Sequence, residues 1–337
     1  MDIDPEFLAL LRARGAHEDD IAEAARGGMH FLNGLAAELL ICPPGESSFD
    51  EVAAAAGVEV ATATRWWLEL GFADPTGRGR FSEADAHVLQ TIAALAALLP
   101  SGAVADLVRL WGASTQQLAH AGVNAMRVGF EQPLRAGGSD ETDIELAYGD
   151  IVNEIVPGVV EAWGTMFRHH LVAASYEIVA VNEGGFVQAL QTIAFVDLVD
   201  FTGFARRTGA AELAEVLSRF EASVAAVAAR HQGHVVKLLG DGIMLRFAER
   251  ADAIAAAREI VTTGDGPPCR AGVATGAVLT RQGDFYGPPV NLASRLSGVT
   301  APGEVAVDAS SALESETPQE PIALKGFAEP VAYFRLA

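Results

Sequence analysis

HVVKLLGDGIMLRF, residues 234–247, consists of two short apolar runs joined through Gly240, Asp241 and Gly242. Runs of this composition read as strands, and a Gly-Asp-Gly connection supplies the positive φ that a tight hairpin turn requires. Working outward, QTIAFVDLV (191–199) is an apolar, β-branched strand and AAELAEVLSRFEASVAAVAARH (210–231) a long amphipathic helix. ADAIAAAREIVTT (251–263) is a second helix, and CRAGVATGAVLT (269–280) a strand pair or a bent strand. Strand, helix, hairpin, helix, strand is the ferredoxin-like βαββαβ order. In it the end of the first strand lies beside the hairpin turn, so Asp197 is expected next to Asp241.

Upstream, from residue 6 to about 180, the pattern is helical, with apolar residues at three and four spacing broken by Pro and Gly. The expected class is therefore α+β, an all-helical N-terminal domain over 1–170 followed by a ferredoxin-like, palm-type domain over 191–337. Residues 171–190, ending near a Gly pair, read as a linker. With 337 residues, half of them apolar, the chain can bury two cores. The longest apolar runs are interrupted before they reach bilayer length, for example by Pro100 and Asp106. No signal peptide opens the chain, and Cys42 and Cys269 stand far apart in no metal spacing. These features point to a reduced, cytoplasmic protein with no membrane span.

Net charge is −21, and residues 1–190 carry most of it, 27 acidic against 10 basic, leaving the remainder at −4. An acidic surface repels nucleic acid. A site for an anionic substrate belongs in the second half. Only two of the 23 basic residues are lysines, Lys237 and Lys325. In an Arg-biased chain, each is a candidate for a task that an ammonium performs differently from a guanidinium. Two carboxylates on neighbouring strand ends, Asp197 and Asp241, can hold Mg²⁺ through oxygen ligands. Two such ions about 3.5–4 Å apart suit an in-line phosphoryl displacement. The plainer reading gives Asp241 to a type I′ turn and Asp197 to a helix cap.

FVDLVDFTGF, KLLGDGIMLRF, GDFYGPPVNLASRL and ALKGF, in that order, closely resemble the catalytic domain of class III nucleotidyl cyclases. The resemblance covers 191–337 and implies conversion of a nucleoside triphosphate to its 3′,5′-cyclic monophosphate and pyrophosphate. It assigns two Mg²⁺ or Mn²⁺ ions per active site to Asp197 and Asp241, assisted by the backbone carbonyl of Leu198. The turn of Phe201, Thr202, Gly203 and Phe204 would cradle the triphosphate. Lys237 and Asp284 take the positions of the family's adenine-selecting pair, whose donor and acceptor complement N1 and the exocyclic amine and mismatch guanine. Asn291 would position the ribose, Arg295 would stabilise the transferring phosphoryl, and Lys325 would meet the β and γ phosphates. The alternatives for the last three are a helix cap, a solvated surface Arg and an exposed loop Lys. Asp200 departs from the usual Gly of the first motif. Because family sites form between two domains and this chain carries both residue sets, the expected state is a homodimer acting on ATP. A guanylyl cyclase is the alternative within the family.

Residues 49–99 resemble the helix-turn-helix start of MerR-type regulators, with a wing-like RGRF. The reading helix carries Arg65 beside Trp66, Trp67 and Glu69, too little positive charge for phosphate contacts. DNA binding is therefore not expected, although a nucleotide-sensing DNA-binding regulator remains the alternative class. The whole chain also resembles soluble actinobacterial cyclases with a helical regulatory domain. That implies autoinhibition or ligand control, with a small molecule, a lipid or protons at His169 and His170 as the input.

Overall fold

Apolar runs with period two and helices with period 3.6 separate along the chain into two compact units, residues 1–175 and 176–337. The structure is a computed structural model and describes residues 3–76, 80–176, 180–181, 187–263, 267–311 and 318–336. The architecture is the expected α+β: a helical N-terminal unit, then a mixed sheet with flanking helices. Among the described residues no helix is long and apolar enough to cross a membrane.

The first unit begins with α1 (Pro5–Ala13), α2 (Glu18–Gly27) and α3 (Met29–Ile41), which enclose Phe7, Leu11, Ile21, Leu32 and Ala36. A second cluster lies among α4 (Phe49–Ala55), α5 (Val60–Glu69), α6 (Glu83–Ala96) and the start of α7 (Ser101–Met126). Ser48 and Ser82 close capping boxes with Glu51 and Asp85, so α4 and α6 start where the sequence supplies both partners. Trp66 and Trp67 are buried, and Trp67 meets Phe49 and Phe81 edge to face. The aromatics of the helix-turn-helix pattern are thus core and cannot reach a base edge. Of the wing-like segment, Arg78 and Gly79 lie outside the described residues, while Phe81 bridges Ser47. A π-helical turn (Arg127–Glu131), α8 (Gln132–Gly137) and α9 (Glu141–Ser175) complete the unit. Arg14 anchors the start of α9, bonding the Glu145 carboxylate at 3.2 Å and its carbonyl at 2.7 Å. Burial pushes the Glu145 carboxyl up, and Arg14 opposes the shift.

The second unit runs β1 (Ala180–Val181), β2 (Val187–Leu198), α10 (Phe201–Arg207), α11 (Ala210–Arg230), β3 (His234–Leu238), β4 (Gly242–Phe247) and α12 (Arg250–Thr262). It continues through β5 (Cys269–Arg281), β6 (Asp284–Tyr286), α13 (Pro288–Val299), β7 (Val305–Asp308) and β8 (Tyr333–Leu336). The sheet order is β3-β4-β2-β5-β7-β8, and its first four strands are the antiparallel ferredoxin-like core. Alternate residues of β2 serve opposite faces. Ala194, Val196 and Leu198 pack under α11 and α12, whereas Ile193 and Phe195 pack with Met244, Phe285 and Ala293 of α13.

Three local readings change. Of the two readings of residues 269–280, the strand pair falls and the single strand stands: β5 is one strand, paired with β2 at eleven positions. The segment 171–190 takes in the end of α9, β1 and the first residues of β2, with 177–179 and 182–186 outside the described residues. At the 239–242 turn only Gly240 has positive φ (78°), and Leu239 N–H donates to the Gly242 carbonyl at 2.7 Å. Positive φ at the first central residue alone is the type II′ pattern, so the turn is not type I′ and Asp241 needs no left-handed backbone.

α13 crosses β5 at Gly272, where a Cβ would sit 2.2 Å from the Ala293 carbonyl oxygen and 2.3 Å from the Ser297 amide. Gly272→Ala is expected to destabilise the second unit by about 1–3 kcal/mol, because α13 must lift off the sheet. Gly298→Ala, on the same helix in open space, should change stability by less than about 1 kcal/mol. Thermal unfolding of the two variants decides it; equal melting temperatures would sink the close-packing argument.

Candidate active site

The β2–β4 register sets Asp197 opposite Gly242, the neighbour of Asp241, and Leu198 N–H donates to the Asp241 carbonyl at 3.0 Å. A Cβ on Gly242 would stand 3.7 Å from the Asp197 Oδ1, an ordinary van der Waals contact, so the carboxylate lies close against the hairpin backbone. The backbones of Asp197 and Asp241 therefore lie on neighbouring strands at the hairpin end. Leu198 ends β2 with its side chain buried. An all-oxygen set of this kind fits a hard divalent cation.

Phe201, Thr202 and Gly203 open α10 behind Asp200, which caps the helix position in a left-handed conformation (φ 52°, ψ 30°). Asp200, not Asp197, is thus the residue at the cap. Phe204 N–H is already bonded to the Asp200 carbonyl at 2.9 Å, so only the amides ahead of it lack an intrahelical partner. The Asp200 carboxylate crowds Gly203 and stands 3.4 Å from Arg207, a mostly exposed pair.

Lys237 and Asp284 come together although 47 residues separate them. The Lys237 Nζ donates to Asp284 Oδ2 at 2.5 Å, and Asp284 Oδ1 accepts from Phe285 N–H at 2.8 Å. Two devices produce the contact. A β-bulge between Val235 and Lys237 resets β3 so that Lys237 stands opposite Met244, on the face shared with Phe195 and Asp197. A two-residue turn, Gln282 (φ 52°) and Gly283 (φ 73°), folds β6 back along β5 with Asp284 opposite Arg281. The pair is partly exposed, so its ammonium and carboxylate remain open to a ligand.

Asn291 and Arg295 are both exposed on α13, on the side away from buried Ala293, Leu296 and Ser297. Neither side chain has a hydrogen-bond or ion-pair partner among the described residues. Lys325 is exposed in the connection before β8, next to buried Leu324, and is joined to none of the other site residues.

Sequence reading missed Arg270. Its Nη2 and Nε reach Asp197 Oδ2 at 2.9 and 3.2 Å, and its Nη1 bonds the Gly298 carbonyl at 3.1 Å. Arg270 stands directly opposite Asp197 in the β2–β5 ladder and ties the carboxylate to the end of α13. The available signal was an arginine at the head of an otherwise apolar strand. Its partner could be named only once the register was known.

No family model matches the chain. An adenylate cyclase of Streptomyces coelicolor is 32% identical over 271 residues, spanning 78% of this chain and 70% of that protein. An uncharacterised protein of Mycobacterium tuberculosis is 31% identical over 349 residues, spanning 98% of this chain and 89% of its own. Among solved structures, the catalytic core of a rhodopsin-guanylyl cyclase with converted specificity, in complex with ATPαS, is 22% identical. It matches 44% of this chain and 95% of that one at a TM-score of 0.40. With 32% identity spread over more than two thirds of a named relative, the chain belongs to the adenylate cyclases.

Proposed function

We propose that this protein converts ATP to 3′,5′-cyclic AMP and pyrophosphate at sites built between two copies of the chain. The observation that carries the substrate is the Lys237–Asp284 pair, held on the same sheet face as Asp197. The ammonium donates to adenine N1 and the carboxylate accepts from the exocyclic amine; guanine would leave both unsatisfied. Asp197, Asp241 and the Leu198 carbonyl are the ligands for two Mg²⁺ or Mn²⁺ ions, which when bound supply Lewis-acid activation of the attacking oxygen and charge neutralisation. Arg270 keeps the Asp197 carboxylate oriented and balances its charge.

The two-copy arrangement follows from what is unpaired. Asn291 and Arg295 project from an exposed helix face and engage nothing among the described residues, which suits donation to a partner's site. There Asn291 would orient the ribose and Arg295 would stabilise charge on the transferring phosphoryl. Lys325 would hold the β and γ phosphates as a point charge. The N-terminal unit belongs to the same reading as a regulator. It has its own cores and a cavity of ≈1420 Å³ between α3, α7 and α9, where an apolar ligand could act; His169 and His170 are exposed for a proton input.

Turnover of ATP and GTP by the purified chain tests the reading. Cyclic AMP from ATP, with Asp241→Ala lowering kcat by about 100-fold or more, is expected; an equally active Asp241→Ala would sink it. Because Lys237 and Asp241 are assigned to opposite sites, mixing Lys237→Glu and Asp241→Ala chains should restore activity to on the order of a quarter of wild type. Additive, unrestored activity would remove the shared site.

Arg270 has its own signature. Arg270→Ala is expected to raise KM for ATP by about 10-fold or more while weakening the Asp197 orientation, with a double-mutant coupling to Asp197→Asn of about 1–3 kcal/mol in thermal unfolding. Zero coupling would make the contact incidental. For regulation, residues 176–337 alone should differ in specific activity from the full chain somewhere between about pH 5.5 and 8, where histidine titrates. Superimposable profiles would leave the first unit without a regulatory role.

A further inference from the structure

Arg270 shares one guanidinium between two elements. On one side Nη2 and Nε both donate to Asp197 Oδ2, at 2.9 and 3.2 Å. On the other, Nη1 donates to the Gly298 carbonyl at 3.1 Å and reaches that of Thr300 at 3.5 Å. α13 ends at Val299, so the Gly298 carbonyl has no amide partner within the helix. The two carbonyls ahead of it are served by Thr300, whose hydroxyl donates to Leu296 at 2.6 Å and whose amide donates to Ser297 at 3.3 Å. Arg270 completes this cap from the sheet, and its positive charge suits a helix C-terminus. The body of α13 is fixed differently: Gly272, two residues along β5, lets its backbone lie against the strand at Ala293 and Ser297. In the last turn Gly298 and Val299 are exposed, so that end is held mainly by polar bonds. Arg295 stands three residues before Gly298, one turn back along the helix.

We propose that Arg270 couples the divalent-cation site of a chain to the end of α13, the helix that the same chain lends to its partner. Of its two sets of bonds, those to Asp197 are the stronger, because both groups are charged. When a cation is held by Asp197 and Asp241, their negative charge is taken up and the guanidinium is repelled. With the ionic side weakened, the acceptors left to Arg270 are the α13 carbonyls, and the last turn is drawn more firmly onto the sheet. Arg295 is then better supported in a loaded chain than in an empty one. Arg270 is a positioning residue in two places, for Asp197 in its own chain and for Arg295 on behalf of the partner. The cation and the partner's use of Arg295 rest on the function proposed above; the bridge from Asp197 to α13 does not.

Hydrogen exchange of the full chain, with and without saturating Mn²⁺ and in the absence of nucleotide, tests the coupling. Cation binding is read separately, from the electron-spin signal of free Mn²⁺. In the wild-type chain Mn²⁺ should slow exchange of the amides 296–300 by about 3-fold or more. Arg270→Met should bind Mn²⁺ yet lose the slowing. Arg270→Lys keeps the charge, but its ammonium cannot span both sides, so it should retain about half of the slowing or less. Slowing that persists in Arg270→Met, or bound Mn²⁺ that leaves 296–300 unchanged in the wild type, overturns the proposal. If Arg270→Met does not fold, Arg270→Lys decides alone, and slowing equal to wild type overturns it. A wild-type chain that binds no Mn²⁺ overturns both the coupling and the cation reading of Asp197 and Asp241. Mixed chains then separate the two roles of Arg270. Placed in the Asp241→Ala chain, whose own carboxylate pair is broken, Arg270→Lys should lower kcat about 3-fold or more with little change in KM for ATP; in the Lys237→Glu chain it should raise KM instead. An unchanged kcat in the first mixture removes the role toward Arg295. If Mn²⁺ slows exchange at 296–300 while Lys237→Glu and Asp241→Ala chains fail to complement, the coupling stands and the shared site falls.

Discussion

The site depends on the register between β2 and β5. Eleven consecutive pairs, Gln188 with Leu279 through Leu198 with Cys269, hold two long strands in a single alignment. Side chains alternate faces, so a slip of one residue would turn Asp197 into the apolar layer under α11 and α12 and bring Val196 to the site. Burying the charge there, away from Arg270, would be costly, as would exposing Val196 and Leu198. Hydrophobic patterning and the Asp197–Arg270 pair therefore select the same register. Arg270 extends that constraint to α13 by bonding its terminal carbonyls, so one ladder places both the carboxylates and the helix bearing Asn291 and Arg295.

Close packing makes this placement rigid. Gly272 lets the α13 backbone lie directly on β5, and buried Ala293 and Leu296 complete the contact from the helix side. By contrast, the Lys237–Asp284 pair is partly exposed, and a pair of that kind adds little to stability. It is held by a bulge and a type I′ turn, local devices that re-aim a side chain without altering the rest of the sheet. Stability resides in the apolar layers, and the polar groups of the site rest on them.

The helical unit follows a different logic. Its second cluster buries Trp66 and Trp67 of the helix-turn-helix pattern, and its acidic surface repels a phosphate backbone.

Much of this was legible because it depends on local pattern. The period-two and period-3.6 runs gave the βαββαβ order, the Gly-bracketed Asp241 marked the hairpin tip, and four motifs in register carried the family. Two capping boxes announced the starts of α4 and α6. Local residues could not decide two points: Gly240 could serve either hairpin turn, and 269–280 could be a strand pair or a single strand until β2 was laid along its whole length. Asp197 and Asp241 could be picked out from the strand pattern, and Lys237, Asp284, Asn291 and Arg295 through the resemblance of their motifs to the cyclase family. That Arg270 faces Asp197, that a bulge turns Lys237 onto Asp284, and that Asn291 and Arg295 have no partner among the described residues was decided by the tertiary structure alone. Those relations join residues tens of positions apart, and only the pairing of strands and the packing of α13 bring them within hydrogen-bonding distance or hold them clear of it.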